Sequence, residues 1–304
     1  GDARPYLDDC AAIAKAQWER RAGLDDDSVP SLGPWYGMAE HSAFLGGTVE
    51  YAEDTSWHHF EMDSPARLDL LRMDAENPVF KMVVGGIEYA RERYGRLFAP
   101  KARGTSGVLE IANTLRGSDF FYDLYDSEDD TRALLDYLEK AIVWYYGCQL
   151  AAAGSFMGGT VTGFGEWLPG RAIGQLSEDT TAMISPAQFE AFGLPHTMAI
   201  AAQHDGALMH AHALSEPCLP AIAGIPGITL MELSSDPNTD RAVTVFRRAR
   251  ESFKPIPVLA LTRQELEANM DLLKTQKTVI WYNAASLAEA EDVCRHIRRE
   301  LPVR

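Results

Sequence analysis

From residue 207 onward the chain alternates short apolar runs with helical patterns, and few folds accommodate such a chain. Ala207–His210 reads as a strand, 215–224 as a short helix, Ile228–Leu233 as a strand and 239–253 as a helix. Ile256–Leu261, a helix at 263–273, Thr278–Tyr282 and a final helix at Ser286–Leu301 complete four strand–helix units in a row. Strands separated by helices run parallel, with the helices covering the sheet. An eight-stranded (β/α)8 barrel fits the 304 residues as one domain spanning 1–304. An open doubly wound sheet is the other arrangement with this pattern. No G-x-G-x-x-G stands at a strand-to-helix turn, which weighs against a dinucleotide-binding fold.

Upstream, residues 6–22 read as an amphipathic helix, and 1–60 as an N-terminal extension rich in Gly, Pro and aromatics beyond that helix. Helical patterns follow at 65–75 and 78–95. Gly107–Ile111 reads as a strand, and 118–126 as a helix. Ser127 is placed to cap a long helix reaching about 153. Phe156–Phe164 is a Gly-rich strand or strand-loop. Ser185 and Pro186 stand as N-cap and first residue of a helix to about His204, broken at Pro195.

The charge balance narrows the partners. Against 44 acidic residues stand 28 Lys and Arg, a net charge of −16, which argues against nucleic acid or an anionic membrane. No apolar run approaches the roughly 18 residues of a membrane span, and the N-terminus carries no signal-peptide core. The four cysteines are far apart with no C-x-x-C, which predicts a reducing, cytoplasmic setting.

In a barrel, chemistry is placed at the C-terminal ends of the strands. That rule selects Glu110, Glu166 with Trp167, His210 with His212, Glu232, Thr262 and Tyr282 with Asn283, and Asp179 joins them from the loop before Ser185. Side chains repeat every two residues along a strand, so His210 and His212 point to one side. With Glu232 they offer two imidazoles and a carboxylate, a donor set that suits zinc with a fourth position open. Cys218 joins the set if its loop folds back over the barrel. Asp179 is a general acid/base or orients a histidine; equally, it is a carboxylate favoured near a helix start. Glu232 is alternatively a rim carboxylate bonded to a loop. Trp57, Trp167, Glu110, Tyr282 and Asn283 are candidates for substrate contact, the tryptophans alternatively being core residues.

Several segments resemble the uroporphyrinogen decarboxylase superfamily. Arg116-Gly-Ser-Asp-Phe-Phe-Tyr-Asp-Leu124 is similar to its "lrG-x-e-x-x-x-x-d-l" stretch. Asp179-Thr-Thr-Ala-Met-Ile-Ser185-Pro186-Ala-Gln-Phe189-Glu-Ala-Phe192-Gly-Leu-Pro195 is similar to "D-x-x-x-x-I-S-P-x-x-F-x-x-F-x-x-P". Met209-His210-Ala-His212 stands in place of its "l-H-x-C-G". The likeness covers roughly residues 40–300. It implies a (β/α)8 barrel and, nearest the zinc-dependent members, transfer of a methyl group between a corrinoid carrier protein and a small thiol or pterin. The corrinoid would ride on a partner protein, and a homodimer is plausible by the same likeness. The chain also departs from the pattern. It has no "R-Q-A-G-R" loop of the true decarboxylases, His212 replaces the expected Cys, and no Cys follows Trp281-Tyr282-Asn283. Two further readings stay open: a metal-free decarboxylase or lyase of a small carboxylated compound using Asp179 and the histidines, and a barrel subunit without catalysis.

Overall fold

The structure is a computed structural model describing residues 3–53 and 55–301. Positions 1, 2, 54 and 302–304 of the expected 1–304 domain lie outside the described residues.

Six strands form one all-parallel sheet: β1 (Thr105–Ser106), β2 (Ala172–Ser177), β3 (Gly206–His212), β4 (Ile228–Ser234), β5 (Ile256–Ala260) and β6 (Val279–Trp281). Each strand pairs with its neighbours in chain order. The order never reverses, as it would in a doubly wound sheet. A smaller parallel pair, Ser31–Leu32 with Ala99–Pro100, and a hairpin, Gly159–Val161 with Trp167–Pro169, stand beside it. The fold is thus mixed α/β, with a parallel sheet and helices packed on it.

The strand period separates the two faces of the sheet. In β3, Ala207, Met209 and Ala211 join the large core shared with the helices. Leu208 faces the other way and packs with Ala172, Leu230, Val258 and Leu168 in a small second core. His210 and His212 share the Leu208 side of the strand. Full burial of one such leucine contributes about 1.5–3 kcal/mol, which fixes the register of the strand and with it the aim of both histidines.

Three local expectations are corrected. The strand expected at Gly107–Ile111 is instead the start of a helix, Val108–Arg116, and the strand is confined to Thr105–Ser106. Buried Val108, Ile111, Ala112 and Leu115 recur at helical spacing, which a short apolar run concealed. The helix expected at 65–75 is a single 3-10 turn, Leu68–Leu70. Pro65 has no N–H, and the Arg72 amide bonds to the Leu45 carbonyl at 3.1 Å, so the backbone donors leave the local ladder. Pro195 does not break its helix. Ser185 and Gln188 form a capping box, a π turn covers Phe189–Gly193, and the α-helix resumes at Leu194–Ala201 with the proline in its first turn.

Gly107 closes β1, its amide bonded to the Ser177 carbonyl at 2.6 Å. A Cβ there would meet Glu178 Oε1 at 2.2 Å and Cδ at 2.3 Å, and Glu178 is fully buried. Gly107→Ala is expected to destabilise the chain by about 1–3 kcal/mol through this overpacking. The effect should be read as a lower urea midpoint at unchanged slope.

Candidate metal centre

The sheet register sets a polar row across the strand ends. Ser106 lies opposite Ser177, Ser177 opposite His210, and His210 opposite Glu232. One step further along the same face, His212 lies opposite Ser234. Asp179 arrives from the 3-10 turn Asp179–Ala182 that follows β2.

Asp179 stands between the two imidazoles. Its Oδ1 is 3.3 Å from His210 Nε2, and its Oδ2 is 3.6 Å from His212 Nε2. The two rings lie edge to face with centroids 5.1 Å apart. One ligand atom from each of these three residues falls within 4.8 Å of the others. Asp179 Oδ1 is buried and has no hydrogen-bond partner.

The opposite nitrogen of each ring is tied down by a carboxylate. His210 Nδ1 bonds to Glu232 Oε2, and Glu232 Oε1 accepts from Ser234 Oγ at 2.9 Å. His212 Nδ1 bonds to Asp236 Oδ1 at 2.6 Å, and Asp236 Oδ2 accepts the Leu214 amide at 3.0 Å. Carboxylates behind both imidazoles fix the tautomer, leaving each Nε2 free to coordinate, as in metal sites built on histidine. The residues present therefore fit zinc. Asp179, His210 and His212 would be its ligands, a fourth position would stay open, and Glu232 and Asp236 would stand behind the histidines.

The electrostatics agree with a cation. The facing Asp179 carboxylate, with Asp236 adding to it, outweighs burial and moves His212 up to about 9. Burial opposes protonation of His210, but the Glu232 bond and the Asp179 charge overcome it, so its affinity for a proton is also raised. Burial moves Glu178 up to about 8, with Glu110 adding to it, and burial followed by the charge of Asp179 raises Glu110. Carboxylates in such numbers around two imidazoles hold protons unless another positive charge takes their place.

The remaining expected residues fall in different places. Glu232 holds the rear of His210 instead of facing Asp179. Cys218 is not brought to the cluster: it is fully buried, its Sγ lies 3.6 Å from the Thr181 carbonyl, and burial pushes the thiol up to about 11. Glu110 comes from a helix. It accepts from the Thr180 amide at 3.0 Å and hydroxyl at 2.8 Å, which pins the turn carrying Asp179. Trp57 is 59% exposed on the hairpin Thr48–Tyr51/Ser56–His59. Trp167 bonds through Nε1 to the Phe156 carbonyl at 2.9 Å. Tyr282 turns to Glu289 at 2.5 Å, and Asn283 is exposed just past β6.

Two residues of the site escaped the sequence reading. Asp236 lies beyond β4, and its only signal was a carboxylate two residues past a strand end. Phe164, half-exposed between Gly163 and Gly165, sets its ring 5.8 Å from that of His210 and 5.3 Å from that of Trp281. Trp281 Nε1 in turn donates to Glu166 Oε1 at 2.7 Å.

No protein-family model matches this chain, and no curated protein matches it. The likeness to the uroporphyrinogen decarboxylase superfamily rests on the segments quoted above. Among the described residues, no helix is long and apolar enough to cross a membrane, and all four cysteines are free.

Proposed function

We propose that this chain is a (β/α)8-type barrel enzyme that holds zinc through Asp179, His210 and His212 and transfers a methyl group. The group would pass from a corrinoid carried by a partner protein to a small thiol or pterin, in the cytoplasm. The observation that carries the reading is the pair of Nε2 atoms converging on Asp179, each ring braced from behind by a carboxylate. Barrel closure is supported at both sheet edges. Trp281 of β6 bonds to Glu166 in the 159–169 hairpin, which bridges through Val161 to Lys101 beside the Ser31–Leu32 pair. Arg298 of the last helix donates to Asp27 at 2.6 Å, just before Ser31.

Bound zinc would supply Lewis acidity, making an acceptor thiol more acidic so that a thiolate is available as nucleophile at neutral pH. The protein's residues do the rest. Glu232 and Asp236 keep both Nδ1 atoms protonated and both Nε2 atoms turned toward Asp179. Glu110 holds the Thr180 turn so that Asp179 stays between the rings. Phe164 sets an apolar ring beside that of His210.

A second reading follows from His212 itself. Flanked by Asp179 and Asp236 and moved up to about 9, it carries a proton at neutral pH and is equipped as a general acid for a metal-free decarboxylase or lyase.

Metal analysis of untagged full-length protein separates the two. About one equivalent of zinc is expected, and it should vanish in His210→Ala while the far-ultraviolet circular dichroism is preserved. A folded, metal-free wild-type protein would overturn the zinc reading and leave the acid–base one.

A further inference from the structure

Buried polar atoms without partners gather in one place. Tyr36 Oη, His41 Nε2 and Arg103 Nη2 lack a hydrogen bond, while Arg103 Nε and Glu40 Oε1 are taken up by each other in an ion pair. Glu40, His41 and Arg103 are each no more than 3% exposed. Native interiors rarely leave such atoms unmatched, and a cluster of them marks a place where something else binds.

The cluster adjoins the metal centre. Arg103 forms an ion pair with Glu40 through Nε, and its Nη1 reaches Gln175 Oε1 at 3.4 Å. Gln175 passes a hydrogen bond to Ser177 at 2.9 Å, and Ser177 lies opposite His210 in the sheet. His41 Nδ1 bonds to Ser106 Oγ at 3.2 Å, in the same polar row. Burial, and then the positive charges of Arg103 and His210, keep His41 neutral. When the Ser106 hydroxyl donates to Nδ1, the one remaining ring proton sits on Nε2, as a free donor. Arg103 Nη2 is a second free donor.

The charge of the place selects its occupant. Burial disfavours the charge of both Lys101 and Arg103, Arg103 adds to this at Lys101, and Glu166 offsets the first and Glu40 the second. Trp35, 46% exposed, sets its ring over the guanidinium, 3.7 Å from Cζ to the ring centroid. Two donors with little surplus positive charge suit a two-oxygen monoanion better than a phosphate dianion.

We propose that Arg103 Nη2 and His41 Nε2 form a carboxylate-binding subsite beneath Trp35, holding the acid end of the substrate whose reacting end lies at Asp179, His210 and His212. The subsite stands on its own residues; that its carboxylate belongs to the substrate rests on the function proposed above.

The test is a nuclear magnetic resonance titration of the full chain with carbon-13-labelled acetate, with acetamide as the uncharged counterpart. Acetate should bind saturably and acetamide should not. His41→Leu should weaken acetate at least tenfold with zinc content unchanged, whereas Asp179→Asn should leave acetate binding intact. Should His41→Leu fail to fold, Ser106→Ala keeps the imidazole but frees its tautomer, and should weaken acetate at least threefold. Acetate binding lost in Asp179→Asn but kept in His41→Leu would place the anion on the metal and overturn the subsite. No saturable binding, meaning that water alone fills the place, would overturn it too. Acetate bound as expected in a protein without zinc would leave the subsite standing and sink only the metal reading.

Discussion

Asp179→Asn is expected to weaken zinc binding at least about 100-fold, and methyl transfer with it, while the chain stays folded. Mutating the partners behind a metal ligand already costs about 10–100-fold in affinity, and Asp179 is itself the residue both Nε2 atoms face. Its side chain is a third exposed, so its loss opens no cavity in the core. The proton behaviour of His212 gives an independent readout. The Asp179 carboxylate facing it is the largest cause of its rise to about 9, so the variant should return it toward the ordinary imidazole value, visible by nuclear magnetic resonance. The sign of the linkage follows. In the metal-free wild type the raised value contributes stability that is complete below about pH 6.5 and is lost as pH rises through about 9. The variant's stability should therefore be flatter across that window. Zinc runs the other way: it needs neutral imidazoles, so wild-type affinity should climb with pH through the same window. Unchanged zinc content in Asp179→Asn would remove Asp179 from the ligand set. A lost rate with no zinc in either protein would favour proton transfer by His212.

Part of this site was legible in the sequence because strand geometry is simple. The two-residue period placed His210 and His212 together, and a strand end pointed to Glu232; Glu110 was singled out as the end of a strand that is in fact a helix. Which atom faces which was not legible. Glu232 looked like a ligand because it ends a strand beside His210, yet the register sets it opposite that residue, where it reaches Nδ1. Asp236 and Phe164 lie on turns, whose path depends on contacts distant in sequence. The carboxylate that braces His212 was invisible for that reason. The parallel sheet was foreseen from repeated strand–helix units. The Val108–Arg116 helix was not, because Val-Leu-Glu-Ile satisfies either period over four residues. Glu40, His41 and Arg103 belong to the aromatic-rich extension and to an irregular stretch before β1, where no periodic signal exists to place a buried ion pair.

That ion pair carries the largest expected effect on stability. Arg103→Met is expected to destabilise the chain by about 3–5 kcal/mol at pH 8, because it leaves the Glu40 carboxylate buried without its cation. Burial already moves Glu40 up to about 7, with Arg103 pulling it back down, so removing Arg103 should raise it further. A carboxyl whose folded value exceeds its unfolded value contributes stability that is complete below about pH 4.5 and is lost as pH rises through the folded value. Arg103→Met should accordingly lie closer to wild type at pH 5, where Glu40 takes up a proton, than at pH 8. Adding Glu40→Gln removes the stranded charge, and the double variant should recover most of the loss and lose this pH dependence. Buried pairs replaced as a pair are often tolerated, whereas half a pair is not. Urea melts of the wild type and the two variants at both pH values decide the matter. An equal deficit for Arg103→Met at pH 5 and pH 8, or a double variant no more stable than the single one, would mean that Arg103 matters for its packing under Trp35 and not for its charge.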